Sequence, residues 1–260
     1  MSAAPAISSE WIKFRTVRST VYALAVTIVL CVGIGALVSF AERSQWPKTN
    51  FQDRALFDPV ATSLSGFFLA EIAVGVIGVL IISSEYSSGS IRSTLAAMPL
   101  RINVLAAKSA VLFVTALVVG EACSFISFFV GQAIMGSVLP PATLATPGAL
   151  RAVVLAGLSL ALLALLALGI GTMLRHTAGA ITAYVAVLLV ALLIVTALPS
   201  SWNVHIFKFL PAVLSTSMQS SHTSSDQFHS FTPWVSTLVL GAYALATLIA
   251  GGALLVRRDA

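Results

Sequence analysis

The sequence predicts an all-α integral membrane protein with six transmembrane helices, an N-terminal interfacial helix and a short cytosolic helix between spans two and three. Three observations predict it. Hydrophobic residues make up 58% of the 260 residues and charged residues 9%, whereas soluble domains carry about 25% charged residues. Six apolar runs are each long enough to cross a hydrocarbon core of about 30 Å as a helix. Lysine and arginine, finally, are concentrated in alternate loops.

The elements follow in chain order. Ile7, Trp11 and Phe14 share one helical stripe, Lys13 and Arg15 lie off it, and Ser8 or Ser9 can cap it, as in an amphipathic helix lying in the membrane interface. The first span covers approximately 20–41. It exceeds the h-region of a signal peptide, about 7–15 residues, and Ser39 and Ala41 make a poor cleavage site, so it is expected to be retained. The second span, over 60–82, carries Glu71 near its middle. The third, over 105–135, is longer than a crossing needs, and its first turn at Lys108 is expected among the headgroups with the ammonium snorkelling outward. Glu121 lies about 20 Å further along that helix at 1.5 Å per residue. Spans four, five and six cover 149–174, 178–198 and 233–256. Between the last two, Trp202, Ile206, Phe207, Phe209 and Leu210 are apolar enough to dip into the outer interface before Pro211. A free external loop is the alternative, and the polar tail from Ser215 fits it equally well. Cys31 and Cys123 both fall inside spans and read as small buried hydrophobes.

Orientation follows from the basic residues of the short loops. With the N-terminus in the cytosol, that side holds Lys13, Arg15, Arg18, Arg92, Arg101, Lys108, Arg175, Arg257 and Arg258, and the other holds Arg43, Lys48, Arg54, Arg151 and Lys208. This imbalance predicts a multi-pass protein of the cell membrane with both termini cytoplasmic. The net charge of +5 is then a feature of topology, and no nucleic acid is expected as a partner.

Catalytic motifs are missing. There is no Gly-Lys dipeptide, hence no GxxxxGK[ST] loop for a nucleotide's phosphates, and neither HExxH nor GxSxG occurs. The chain is not expected to be an enzyme or to hydrolyse ATP by itself, and no catalytic residue or cofactor is assigned. His222 and His229 lie in one polar segment, but its Ser and Thr content reads as loop rather than metal site. His176, beside Arg175 at a short turn, reads as a polar cap.

The polar stretch from Ser84 to Lys108 is the most informative part of the chain. If residues 85–97 are helical, Glu85, Gly89, Arg92 and Ala96 fall near one face, and Ile91 and Leu95 share another. Met98-Pro99 then ends the helix and Leu100-Arg101 turns back to the membrane. A plain surface helix with its charges in water is the alternative.

The series Ser84-Glu85-Tyr86-Ser87-Ser88-Gly89-Ser90-Ile91-Arg92-Ser93-Thr94-Leu95, closed by Met98-Pro99-Leu100-Arg101 and Ala106-Ala107-Lys108, resembles the segment after the second span of ABC type 2 transporter permeases, especially the short actinobacterial ones. Glu10-Trp11-Ile12-Lys13-Phe14-Arg15 resembles the same family's entry helix, and Leu174-Arg175-His176-Thr177-Ala178-Gly179 and the ending Arg257-Arg258-Asp259-Ala260 are also similar to it. The resemblance extends over the whole chain as a single permease domain, 1–260. It implies a permease subunit paired with a separate ATP-binding subunit, which holds the ATP and magnesium. It also implies a second permease copy, as homodimer or heterodimer, around one pathway through the bilayer. The stretch after span two becomes the coupling helix, with Glu85, Tyr86, Gly89, Arg92 and Arg101 as candidate contacts to the ATPase. The segment before span six becomes a re-entrant element capping the pathway.

Glu71 and Glu121 depart from that pattern. Carboxylates at membrane depth must be protonated, paired or placed against water, and no Lys or Arg lies at matching depth. They are candidate pathway residues for a cationic amphipathic substrate or a proton. The alternative is a protonated acid that hydrogen-bonds a neighbouring helix, and Gly120 beside Glu121 points to close packing there. Export of an amphipathic drug, antibiotic, peptide or lipid is the function this implies. A membrane-embedded sensor or scaffold that couples to an ATPase without transporting is the competing class.

Overall fold

The computed structural model describes residues 9–13, 18–91, 101–136, 138–222 and 230–257, and among these every regular element is a helix. Residues 9–13 form a helical turn ahead of the bundle. Helix α1 runs from Arg18–Val29 through a π-turn at Leu30–Ile34 into Gly35–Gln45. Two short helices follow, α2 (Phe51–Ala55), capped by Asn50, and α3 (Pro59–Ser63). Asp58 accepts from the amides of Val60 at 2.9 Å and Ala61 at 3.1 Å and so opens α3, with Pro59 supplying a preset φ.

The long helices are α4 (Phe67–Ser87), α5 (Arg101–Met135) and α6 (Ala149–Leu174). Helix α7 is Thr177–Val185, a π-turn at Ala186–Val190 and Ala191–Thr196. Then come α8 (Ser200–Ile206), α9 (Pro211–Gln219) and α10 (Pro233–Arg257). Among the described residues six helices, α1, α4, α5, α6, α7 and α10, are long and apolar enough to cross a membrane, as the sequence predicts.

The second span is interrupted. The run expected over 60–82 is broken at Leu64–Gly66, and the crossing helix starts only at Phe67. The break is a packing feature. Gly66 lies against the carbonyl oxygens of Leu30 and Cys31 in the π-turn of α1, where any β-carbon would collide with backbone. Glu71 therefore sits about 6 Å inside the start of α4, at 1.5 Å per residue, and not at the middle of the span.

Helix α6 is the hub. Of its apolar stretch 78% is buried, against 22% for α7 and α10 and 17% for α1, and α4, α5 and α10 pack along it. Small residues permit the approach. Gly78 of α4 rests on the Ala164 carbonyl, and Gly120 of α5 faces Gly157 of α6. The outer faces are apolar and exposed, for example Tyr22 and Val29 on α1 and Leu238 and Ile249 on α10, as hydrocarbon contact requires. One end of the bundle carries residue 13, the end of α4, the start of α5 and the end of α10; it is called here the N-terminal end, and the opposite one the far end.

Candidate functional site

At the N-terminal end the sequence places four charges that fold into one cluster. The Lys108 ammonium donates to Glu10 Oε2 at 2.7 Å and to Glu85 Oε1 at 2.8 Å. Lys13 donates to Glu10 Oε1 at 3.0 Å and to the same Glu85 oxygen at 2.9 Å. Lys108 is 2% exposed, Glu10 4% and Glu85 8%. Lys108 thus does not snorkel: α5 begins at Arg101, about one turn earlier than the span expected from 105, and two carboxylates hold the ammonium inside. The residues 9–13 are pinned to α4 and α5 by this cluster. Burial alone would lower the Lys13 pKa, but its hydrogen bonds to Glu85 and Glu10 outweigh that and hold it above its ordinary 10.5.

The candidate ATPase contacts separate into distinct environments. Glu85 is turned inward, spent on Lys108 and Lys13. The Tyr86 ring lies 5.1 Å from the Arg175 guanidinium. The Arg101 guanidinium donates to the Leu255 carbonyl at 2.9 Å, and Arg175 to the Leu254 carbonyl at 3.3 Å. Two cations thereby meet carbonyls in the last described turn of α10, toward the negative end of its dipole. Gly89, at φ 71°, ends the helix one turn after Glu85, so a continuous helix over 85–97 is not formed at its start. The exposed part is the turn from Ser87 to Ser90. Arg92 and Ala96 lie outside the described residues, as do Phe14, Arg15 and His229. His176 caps α7 as the sequence predicts, its Nδ1 accepting from the Gly179 amide at 3.1 Å.

The two membrane carboxylates do not share a site. Glu71 is fully buried and takes a hydrogen bond from Gln219 Nε2 at 3.0 Å, while its Oε2 has no partner among the described residues. One turn along, the Tyr184 ring fills the space over Gly75 and its hydroxyl donates to the Glu71 carbonyl at 2.8 Å. Glu71 is thus wrapped by α7 and α9. Glu121 is half-buried on α5, and its carboxyl lies against Gly157 of α6. The close packing expected from Gly120 is present.

Gln219 went unnoticed in the sequence because 215–230 reads as loop. The signal was Pro211 at a helix start followed by Ala212, Val213, Leu214 and Met218 at helical spacing, all of them buried. Helix α9 is folded back against α10 and α6, which favours the re-entrant alternative over the free loop. Its exit is clamped from two sides. Asp58 accepts from the Ser221 amide at 2.8 Å, from Ser221 Oγ at 2.9 Å and from Ser220 Oγ at 3.0 Å. Arg151 donates to the Ser220 and Ser221 carbonyls at 3.1 and 3.0 Å. Between α3, α4, α7 and α9 this far end forms a half-open cavity of about 680 Å³. Neither Glu71 nor Glu121 lines it.

Compared with known families, residues 6–193 match the family model described as ABC-2 family transporter protein. No curated protein matches the chain.

Proposed function

The chain belongs to the ABC-2 transporter family and is the membrane-spanning subunit of an ABC transporter; from that premise we propose that it exports an amphipathic molecule from the cytoplasm, driven by ATP hydrolysis on a separate subunit. The N-terminal end faces the cytosol in this reading, in keeping with the excess of Lys and Arg there. The partner ATPase, holding ATP and magnesium, docks on the segment from Ser84 to Arg101, and a second permease copy completes the pathway.

One observation carries the coupling part of this reading. The exposed turn Ser87–Ser90 stands directly on a bundle end braced by the Glu10, Lys13, Glu85 and Lys108 cluster. A displacement of that turn is delivered to α4, α5 and residues 9–13 together, because breaking the buried pairs costs more than moving the helices as levers. Glu85 and Arg101 accordingly act within the permease, transmitting movement, and the ATPase contact falls on the turn, with Gly89 in it, and on Arg92.

Co-expression with a candidate ABC ATP-binding subunit from the same genome tests the proposal. The two subunits should purify together, and Ser88→Cys should cross-link to a cysteine in the ATPase groove. ATP-dependent movement of fluorescent cationic and neutral amphiphiles in proteoliposomes distinguishes an exporter from a scaffold. A permease that elutes alone despite co-expression overturns the reading.

A further inference from the structure

The far-end cavity has no part in the coupling just described, yet its walls are sorted by polarity. Phe68 of α4, Leu192 of α7, Val213 of α9 and Phe231 form the apolar side. Toward the C-terminus of α9 the lining becomes Thr216, Ser217 and Ser220, then His222. The volume of about 680 Å³ lies within the range of small-molecule sites, about 300–1,000 Å³.

The polar side has a definite preference. Thr216 Oγ1 donates to the Ala212 carbonyl at 2.7 Å and Ser217 Oγ to the Val213 carbonyl at 2.8 Å. Their protons are used within α9, so what these hydroxyls offer the cavity is lone pairs. Asp58 also lines the space, but its two oxygens already accept from Val60, Ala61, Ser220 and Ser221, and Arg151 and Lys208 stand behind the lining residues Ser220 and Phe231. Hydroxyls whose own protons are engaged favour a head that donates hydrogen bonds over one, such as a carboxylate, that can only accept them.

We infer that the far end of each chain holds a binding site for one single-chain amphiphile whose head is a polyol or an ammonium, with its chain among Phe68, Leu192 and Val213 and its head at Thr216 and Ser217. The inference goes beyond the proposed transport cycle, since it requires neither ATP nor a second copy. The same head chemistry arrives from two sources, a membrane monoacylglycerol or an amphiphile delivered from the cytosol.

Native mass spectrometry of the permease released from nanodiscs tests this, with monolauroylglycerol and dodecylammonium as probes and laurate as the anionic comparison. One adduct per chain is expected with either probe, and about tenfold weaker retention of laurate. Thr216→Trp obstructs the head position and Leu56→Asp puts a charge in the apolar wall; Leu56 and Thr216 are exposed lining positions, so both variants keep the fold. Each should weaken the adduct of the neutral monolauroylglycerol about tenfold, while Leu238→Trp, on the exposed face of α10, leaves it unchanged. An adduct on the permease alone assigns the site to a membrane lipid; one that appears only in the ATPase complex turning over ATP assigns it to the delivered amphiphile. Laurate binding as well as the probes, indifference to Thr216→Trp and Leu56→Asp, or absence of an adduct in both arms overturns the inference. Because the readout is binding, a complex that fails to transport leaves it standing.

Discussion

Lys108 has two carboxylates within 2.8 Å and almost no exposure, whereas the Lys13 side chain, 42% exposed, shares the same partners from the surface. Removing the two should therefore have unequal effects. Lys108→Met strands Glu10 and Glu85 in a buried setting and should cost about 3–5 kcal/mol, while Lys13→Met should cost under about 1 kcal/mol. Thermal unfolding midpoints of the purified variants check the ranking, and equal losses would refute it. The Lys13 contribution also has a pH signature. Its pKa is raised in the folded state, so its stabilisation is fully present below the ordinary lysine value of 10.5 and is lost as pH rises past the folded one. The stability gap between the native chain and Lys13→Met should thus stay constant from pH 6 to about 9 and close above the lysine range. Deeper in the bundle, Gln219→Leu removes the 3.0 Å donor to Glu71 and should destabilise by about 1–3 kcal/mol, with α9 becoming more accessible to hydrogen exchange.

Among the elements, α4 shows where sequence patterning is informative and where it stops. Its apolar content announced a span, and Thr62, Ser63, Ser65 and Gly66 carry a turn signal at the break, but that signal is weak against the long apolar run around it. That break depends on Gly66 meeting the carbonyls of Leu30 and Cys31, residues more than thirty positions away. The seam between α4 and α6 is similar, since the contact of Gly78 with the Ala164 carbonyl exists only in the assembled bundle. Gly78→Leu should drive the two helices apart at a cost of about 1–3 kcal/mol, lowering the fraction of folded protein in detergent, whereas Gly241→Leu, with open space around it, should be neutral. Helix α9 was half legible: its apolar spacing was present, and its Ser and Thr content concealed it. Those hydroxyls bond back to carbonyls of their own helix and so do not require water.

At the scale of the whole molecule, the charge cluster links the N-terminal residues to the ends of two crossing helices, and it should matter for coupling more than for assembly. Glu10→Ala in the assembled complex should reduce transport at least about fivefold, equivalent to about 1 kcal/mol of lost coupling, while ATP hydrolysis continues and the ATPase still co-purifies; loss of co-purification instead would make the cluster a docking site. The sequence by itself determined the membrane setting, six helices and the family, because hydropathy and local motifs are properties of consecutive residues and the bilayer demands internally satisfied backbone. It also marked Glu71, Glu85, Lys108 and Glu121 as exceptional. Only the tertiary structure decided what each does: Glu85 and Lys108 close a buried ion-pair cluster with Glu10 and Lys13, Glu71 accepts from Gln219, and Glu121 rests against Gly157. The reason is physical. The cost of a charge in a low-dielectric interior depends on partners brought within 3 Å by helix packing, and those partners lie 72 to 148 positions away in the cases of Lys13 with Glu85 and Glu71 with Gln219.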